Sequence, residues 1–243
     1  MKTFGPFPSR RLGSSLGINN MPSKICSYAC IYCQLGIAVS MEIKRSRKYH
    51  PEQLADEVLG NVNNLHKRNE NIDYLTFIPD GEPTLDSGLG QEINLLLVSG
   101  IKIAVITNGS LLWQKDVRKD LERADLVSLK IDAVENGTWK KVNRPHKSLT
   151  LEQILRAMFE FSTTFKGKLI TETMLINGVN DGAESLEAVS SFIHQLHPDI
   201  AYLTVPTRPP ARKNVHASTE DTLNNAFQTF VSKGINTEYL IGF

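Results

Sequence analysis

The chain has 243 residues, of which 41% are hydrophobic, and its formal net charge is only +1. This composition argues against a disordered chain, and no apolar run approaches the roughly 18 residues that a membrane span needs. The first residues lack the apolar core of a signal peptide, and three clustered cysteines favour a metal site in a reducing compartment over disulfides. We therefore expect a cytoplasmic protein without a membrane partner.

Predicted strands and helices alternate along the chain from residue 50 onward. Residues 1–24, rich in Gly, Pro, Ser and Arg, predict mostly loop. Short apolar runs predict strands at 73–78, 102–106, 126–131, 168–176, 200–205 and 237–241. Apolar residues at helical spacing predict helices at 51–68, 89–99, 114–123 and 151–164, and two further helices around 186–196 and 223–231. Repeated strand–helix–strand units of this kind are typical of a parallel sheet.

The number of strands limits the type of barrel. With one strand that leads into the cysteines, the pattern predicts six or seven, too few for a closed eight-stranded barrel. We expect an α/β fold, a partial (β/α)6 TIM-type barrel with a mostly parallel open sheet. It would be a single domain over 1–243, with an N-terminal arm at 1–24 and the partial barrel at 25–243. Unusual polar turns follow most predicted strands, and this edge of an α/β barrel carries the chemistry.

All three cysteines, Cys26, Cys30 and Cys33, lie in one short stretch with the spacing C-x3-C-x2-C. Three thiolates this close can bind three irons of an iron–sulfur cube, and the chain has no further cysteine for the fourth iron. An open metal position is typical of a catalytic site rather than a structural one. The alternative is a zinc site completed by a histidine. The candidate histidines are His50, His66 and His146.

A second motif, Gly81-Glu82-Pro83-Thr84, follows the predicted strand at 73–78, one strand–helix–strand unit after the cysteines. The two motifs in this order resemble the radical S-adenosylmethionine superfamily. That family carries C-x3-C-x2-C after its first strand and G-G-E-P-T-like residues after its second. The resemblance covers essentially the whole chain, and it implies the partial (β/α)6 barrel of that family.

The resemblance also implies cofactors. Cys26, Cys30 and Cys33 would bind a 4Fe–4S cluster, and the open iron would take the amino and carboxylate groups of S-adenosyl-L-methionine. An external electron donor would reduce the cluster. Reductive cleavage would then produce a 5′-deoxyadenosyl radical, which abstracts hydrogen from a substrate.

Further residues are assigned to S-adenosylmethionine by the same resemblance. Tyr32 would contact the adenine, and the backbone carbonyls of Gly81 and Glu82 would accept from the methionine ammonium. Asp80 stands where the family usually has Gly or Ser; its carboxylate would favour the ammonium, but Asp would be strained if the turn needs a positive φ. The implied contacts to the ribose and the carboxylate are Asn108, Ser128, Lys130, Asp132 and Asn177.

Several arginine-containing turns indicate a narrower group. The segments 8–17, 33–36, 143–146 and 207–210 resemble radical S-adenosylmethionine proteins that are similar to the enzymes building the wyosine base of tRNA. Some of those enzymes carry a second set of cysteines, which this chain lacks. Arginine is suited to phosphate, so these turns predict an anionic substrate, with tRNA as the leading hypothesis. The candidate substrate contacts are Arg10, Arg11, Arg144, His146 and Arg208.

The same residues leave other interpretations open. The arginines could be solvated charge, or could form an internal ion pair that holds the N-terminal arm. The basic run at 44–48 predicts a solvated face. A radical enzyme acting on a small molecule, or a radical activase acting on a partner protein, would share the cysteine site. The non-catalytic alternative is a zinc-binding module whose arginine-rich rim binds RNA.

Overall fold

The computed structural model describes residues 2–241, which form one mostly parallel sheet covered by helices on one face. The strands are β1 Thr3–Ser9, β2 Gly13–Ile18, β3 Ile25–Cys26, β4 Ser40–Met41, β5 Tyr74–Phe77, β6 Lys102–Thr107, β7 Leu126–Lys130, β8 Lys168–Met174, β9 Ile200–Thr204 and β10 Thr237–Tyr239. The helices are α1 Pro51–Lys67, α2 Leu89–Leu96, α3 Lys115–Leu121, α4 Asn136–Val142, α5 Leu151–Thr164, α6 Ala183–Leu196 and α7 Glu220–Ser232. None of these helices has the length and apolarity needed to cross a membrane.

The main sheet has eight strands in the order β1-β2-β5-β6-β7-β8-β9-β10. All neighbours in it pair in parallel except β1 and β2, which form an antiparallel hairpin. The short strands β3 and β4 form a separate parallel pair beside the cysteines. The predicted α/β fold with a mostly parallel open sheet is confirmed.

The prediction of mostly loop at residues 1–24 is wrong. β1 and β2 occupy most of this segment, and β2 is the parallel strand that leads toward the cysteines. Gly, Pro and Ser weaken any local strand signal, so β2 depends on pairing with β5, where Leu16 lies beside Leu75. The Ser15 and Thr76 hydroxyls, both buried, are hydrogen-bonded at 2.7 Å. The division into an arm and a barrel stays a prediction.

The two faces of the sheet pack against different partners. The outer face packs on the helices through a continuous core that includes Leu75, Val105 and Leu129. The inner face has a smaller apolar layer, to which the β1–β2 turn contributes Leu12. Because side chains alternate along a strand, Leu126 of this inner layer is followed on the same face by polar residues toward the carboxyl end of β7. The inner face is therefore apolar below and polar at the rim.

Two further features differ from the expectations. The sequence pattern missed α4, because only Trp139 and Val142 of its seven residues are buried. The basic run at 44–48 is not simply a solvated face, since the Arg45 side chain is only 6% exposed. Its guanidinium lies 2.6 Å from Asp116 and 2.5 Å from Asp120, so this cation ties the segment after β4 to α3.

Candidate functional site

The three cysteines surround one cavity beside the carboxyl end of the sheet. Cys26 ends β3, and Cys30 and Cys33 follow in the loop; all three are free and half-buried. Lys24, Asp80 and Gly81 line the same cavity, which we call the cysteine cavity. The structure thus brings the two sequence motifs together, as expected.

Gly81 is required by the close approach of the two motifs. A Cβ at this position would lie 2.0 Å from the carbonyl oxygen of Ile25, the residue before Cys26. The same carbonyl accepts a hydrogen bond from the Glu82 backbone N–H at 3.1 Å. The turn after β5 therefore packs directly on the strand that presents the first cysteine.

The donor set fits a multi-iron cluster. No group of three or more His, Cys, Asp or Glu side chains in residues 2–241 is arranged to hold a single metal ion. The thiols instead stand around a shared cavity, as is needed when each thiolate binds a different iron. None of the described residues lining this cavity is a histidine, and the histidine-completed zinc site stays an untested alternative.

Burial controls the ionisation of the cysteines. It raises the pKa of Cys26 well above its usual range, with nearby Glu82 adding to the effect. It also raises the pKa of Cys30 to about 12, with Asp132 adding to the effect. Both thiols would stay protonated at neutral pH until a metal takes the thiolate form, because a coordinating thiol is deprotonated outright.

The Glu82 side chain connects the turn after β5 to the end of β6 through hydrogen bonds. It is 2% exposed, and its Oε1 accepts 2.6 Å hydrogen bonds from the hydroxyls of Thr84 and Thr107. Its Oε2 accepts from the Asn108 backbone N–H at 2.8 Å. Burial raises the pKa of Glu82, and these hydrogen bonds act against that rise. The predicted carbonyl contacts of Gly81 and Glu82 stay predictions beside this structural role.

Asp132 is the centre of a second buried network. Its Oδ2 accepts from the Tyr32 hydroxyl and, at 2.7 Å, from the Asn143 side chain, while its Oδ1 accepts from the Met174 N–H at 2.9 Å. The Lys130 ammonium lies 3.8 Å from Oδ1 and 5.0 Å from the centre of the Tyr32 ring. This network joins the cysteine loop to β7 and β8. The expected roles of Asp132 and Tyr32 toward S-adenosylmethionine stay predictions.

An ion-pair group, which we call the inner cluster, consists of Arg11, Lys130 and Glu172 on the inner face. Glu172 accepts from Lys130 at 2.7 Å and pairs with Arg11, 161 residues away in sequence. Burial alone would raise the pKa of Glu172, but the two cations outweigh it and lower this pKa to about 2. Arg11 thus forms an internal ion pair, which the sequence analysis gave as the alternative to a contact with the substrate. Glu172 was missed, although a charge inside an apolar strand is a usable signal.

Two buried polar atoms near the inner cluster have no hydrogen-bond partner in the described chain, the Ser128 hydroxyl and the Arg11 Nε. Such orphaned groups are rare in folded proteins and require an explanation. Ser128 precedes Lys130 by two residues on β7, so it lies on the same inner face. A bound ligand on this face would satisfy them.

Asn177 and Asn180 lie in the same turn after β8, and the structure separates their roles. The Asn177 side chain is exposed, and its backbone N–H donates to the His216 carbonyl. Asn180 is buried and donates at 2.9 Å to the Asp132 carbonyl oxygen. The ligand role of Asn177 stays a prediction, and Asn180 is the residue that supports the site.

Part of the predicted substrate set meets in one place. Arg144 and His146 line an open groove of about 510 Å³ on the outer side of the cysteine loop. We call it the basic groove, and its other cationic residues are Lys140, Lys147 and Arg212. Arg10 and Arg208 are exposed and are not among its lining residues in the described chain.

Comparison with known proteins identifies the family. The UPF0026 protein MJ1312 of Methanocaldococcus jannaschii is 48% identical over 212 residues, which are 87% of this chain and 65% of that protein. The chain therefore spans less than two thirds of that relative. A probable dual-specificity RNA methyltransferase RlmN of Exiguobacterium sibiricum is 22% identical over 224 residues, 87% of this chain and 60% of that protein.

A solved structure shares the fold. The structure of TYW1 with a lysine-pyruvate adduct bound has a TM-score of 0.70 at 20% identity, covering 91% of this chain and 75% of that one. The profile of the radical SAM superfamily matches residues 20–189, and this superfamily uses a 4Fe–4S cluster and S-adenosylmethionine. The expected family and its cofactors are confirmed. With the cysteine spacing, the turn packed on it and this match in agreement, the chain belongs to the radical SAM superfamily.

Proposed function

We propose that this protein is a radical S-adenosylmethionine enzyme that abstracts hydrogen from an anionic substrate, with an RNA base, in tRNA above all, as the substrate class. One observation carries the first part: three free cysteines share a cavity on which the Gly81–Glu82 turn packs. When bound there, the cluster and S-adenosylmethionine supply a reductively generated 5′-deoxyadenosyl radical. An external donor provides the electron.

The cysteine cavity offers charges that suit the amino-acid end of S-adenosylmethionine. Lys24 and Asp80, which have opposite charges, both line it. A carboxylate is favoured beside an ammonium, and an ammonium beside a carboxylate, so this pair matches a zwitterion. Asp80 is not among the described residues with positive φ, so the turn does not impose the strain that a positive φ would cause. The Asp80 backbone oxygen accepts from the Lys24 N–H at 2.6 Å, which holds the two positions together.

The inner face provides an ordered place for the reacting part of the substrate. The apolar layer containing Leu12 closes it from below, and the inner cluster fixes its charged wall. A radical attacks most C–H bonds, so specificity depends on excluding water and on holding one bond within reach. The unpartnered Ser128 hydroxyl is positioned on this face to donate to a bound ligand.

The basic groove supports an RNA substrate. Its cationic residues lie beside the cysteine loop, since Ala29 and Ile37 of that loop line it as well. Clustered Lys and Arg bind phosphates, and Arg does so in a bidentate manner. Because the net charge of the whole chain is only +1, the chain as a whole does not attract RNA, and the positive charge concentrated in the basic groove is the relevant feature. The RlmN relative is described as an RNA methyltransferase, which agrees with this proposal.

Anaerobic reconstitution with iron and sulfide tests the enzyme class. We expect a brown protein that, after reduction, converts S-adenosylmethionine to 5′-deoxyadenosine and methionine. Elemental analysis of protein purified without oxygen separates this proposal from the zinc module. Stoichiometric zinc, without iron uptake on reconstitution, would contradict it.

Salt-dependent binding tests the RNA substrate. We expect Arg144→Ala to weaken the binding of unmodified tRNA several-fold at low salt, measured by fluorescence anisotropy, and to reduce the slope of log affinity against log salt by about 1. Arg156→Ala is the matched control, because Arg156 is 63% exposed and lies on α5 outside the basic groove. If the unchanged protein does not bind tRNA at low salt, the substrate is a small molecule or a partner protein.

A further inference from the structure

Two asparagine side chains donate to cysteine sulfurs in the cysteine cavity. Asn108, directly after β6, places its amide nitrogen 3.5 Å from the Cys26 sulfur. Asn143, directly after α4, places its amide nitrogen 3.5 Å from the Cys30 sulfur. N–H···S distances of this length are within the range for sulfur acceptors, and they occur here at two of the three cysteines.

Both amides are held in place by other hydrogen bonds. The Asn108 nitrogen also donates to the Ser27 hydroxyl at 2.9 Å, and its oxygen accepts from the Ser110 N–H at 2.9 Å. The Asn143 nitrogen also donates to Asp132 at 2.7 Å. A side-chain amide has two N–H groups, so in each case one is used by an oxygen and the other is directed at the sulfur.

Asn143 is bound to the cysteine loop in a second way. Its backbone oxygen accepts from the Ala29 N–H at 3.1 Å, and its side chain is 3% exposed. Its partner Asp132 is itself held by the Tyr32 hydroxyl and the Met174 N–H. The backbone bond thus fixes the position of Asn143 beside the loop, and its side chain cannot turn away from Cys30 without losing the hydrogen bond to Asp132.

The electrostatic surroundings give these donors a function. Two buried carboxylates, Glu82 and Asp132, act on Cys26 and Cys30 and oppose added negative charge there. A cluster gains negative charge when it is reduced, so these carboxylates make reduction harder. An N–H dipole directed at a ligating sulfur has the opposite effect, because it stabilises the more negative state.

We propose that Asn143, oriented by Asp132, and Asn108 are positioning residues that raise the reduction potential of the cluster bound by Cys26, Cys30 and Cys33. This inference rests on the proposed function, because it requires that cluster. The step it concerns is the uptake of one electron from an external low-potential donor, with no bond made or broken in the protein. It assigns a role to the 143–146 segment that substrate binding by Arg144 and His146 does not explain.

A potentiometric titration, followed by the electron paramagnetic resonance signal of the reduced cluster, tests the proposal. In Asn143→Ala and in Asn108→Ala we expect the cluster to be about tenfold harder to reduce, a midpoint about 59 mV more negative for a one-electron couple. Asn180→Ala is the matched control. Asn180 is also a buried asparagine that is hydrogen-bonded to Asp132. Its amide, however, donates to the backbone carbonyl oxygens of Asp132 and Met174 and not to a sulfur.

If Asn143 and Asn108 had a purely structural role, their variants would not lower the midpoint more than Asn180→Ala does. Asn180→Ala loses three buried side-chain hydrogen bonds, so it should lower stability while leaving the midpoint within 15 mV of the unchanged protein, a shift of less than twofold. An Asn143→Ala protein with full iron content and an unchanged midpoint would overturn the proposal. If that variant takes up no iron, Asn108→Ala decides the question, because Asn108 is not bonded to Asp132. Failure of the unchanged protein to bind iron would instead contradict the proposed function.

Discussion

The cysteine cavity and the inner cluster lie at the same end of the sheet, but they are built in different ways. The cysteine cavity takes its three thiols from eight consecutive residues, 26–33, and two of their sulfurs accept hydrogen bonds from the neutral side chains of Asn108 and Asn143. The inner cluster joins Arg11 and Glu172 across 161 residues and consists almost entirely of buried charge. A local motif can therefore be recognised in sequence, whereas the pairing of a turn residue with a distant strand cannot.

This difference also predicts which property is lost when a residue of each region is replaced. Loss of a cysteine should remove the cofactor while the fold survives, because Cys and Ala differ by a single sulfur atom. Loss of a group in the inner cluster should reduce the stability of the whole domain, because it leaves a buried charge without its partner. The following variants test this contrast, from the largest expected effect to the smallest.

Removing one cysteine should abolish cofactor binding. In Cys30→Ala we expect complete loss of reconstituted iron and of S-adenosylmethionine cleavage, since only two thiolates would remain for the cluster. Iron content per chain and visible absorbance measure this, and circular dichroism should show an intact fold. Full iron loading in this variant would contradict the assignment of the cysteine cavity.

Removing the carboxylate of the inner cluster should cost stability. In Glu172→Ala we expect a loss of about 3–5 kcal/mol in the free energy of unfolding, because Arg11 would stay largely buried without its anion and Lys130 would keep only the more distant Asp132, at 3.8 Å. Urea denaturation measures it. The control is Glu187→Ala, which breaks an ion pair with Lys233 at a glutamate that is 62% exposed, and should cost less than about 1 kcal/mol. Equal effects in the two variants would show that the inner cluster is not a buried charge site.

The pH dependence of stability should report the same carboxylate. The folded pKa of Glu172 is lowered from an ordinary 4.5 to about 2, so its contribution is fully present above pH 4.5 and is lost as pH falls toward 2. The difference corresponds to roughly 3 kcal/mol. We therefore expect the free energy of unfolding, measured by urea denaturation, to fall between pH 6 and pH 2 in the unchanged protein. In Glu172→Gln the fall should be smaller by this amount. If stability depended on pH in the same way in the two proteins, the pKa of Glu172 would not be lowered in the folded state.

The close contact at Gly81 should be the most local of these effects. In Gly81→Ala the added Cβ would meet the Ile25 carbonyl oxygen, so the turn must move away from β3, at a cost of about 1–3 kcal/mol. We also expect lower iron content. Gly60→Ala is the matched control, because no atom lies within 4 Å of its Cβ in α1, and we expect a gain of about 0.5–1 kcal/mol. Iron content and urea midpoints measure both variants.

Prediction from sequence succeeded where the signal was local. The cysteine spacing and the Gly81–Glu82 turn led to the family, and strand periodicity led to the open parallel sheet. It counted one strand leading into the cysteines but did not locate β1 or β2, whose Gly, Pro and Ser residues give no local strand signal, and it missed that the charge of Arg45 is buried against α3. The roles of Asn143 and Asn180 could not be predicted, although the segment 143–146 was singled out, because nothing in the sequence distinguishes an asparagine that supports a site from one in an ordinary turn.

The sequence by itself determined the family of this chain, because three cysteines within eight residues, followed by the Gly81–Glu82 turn, form a local pattern that the sequence alone displays. Only the tertiary structure decided what surrounds them. Asn108 and Asn143 reach the sulfurs, and Arg11 reaches Glu172, because pairing and packing bring together residues that are between 82 and 161 positions apart. The physical reason is that hydrogen bonds and ion pairs act over a few ångströms, so distance along the chain does not reveal them.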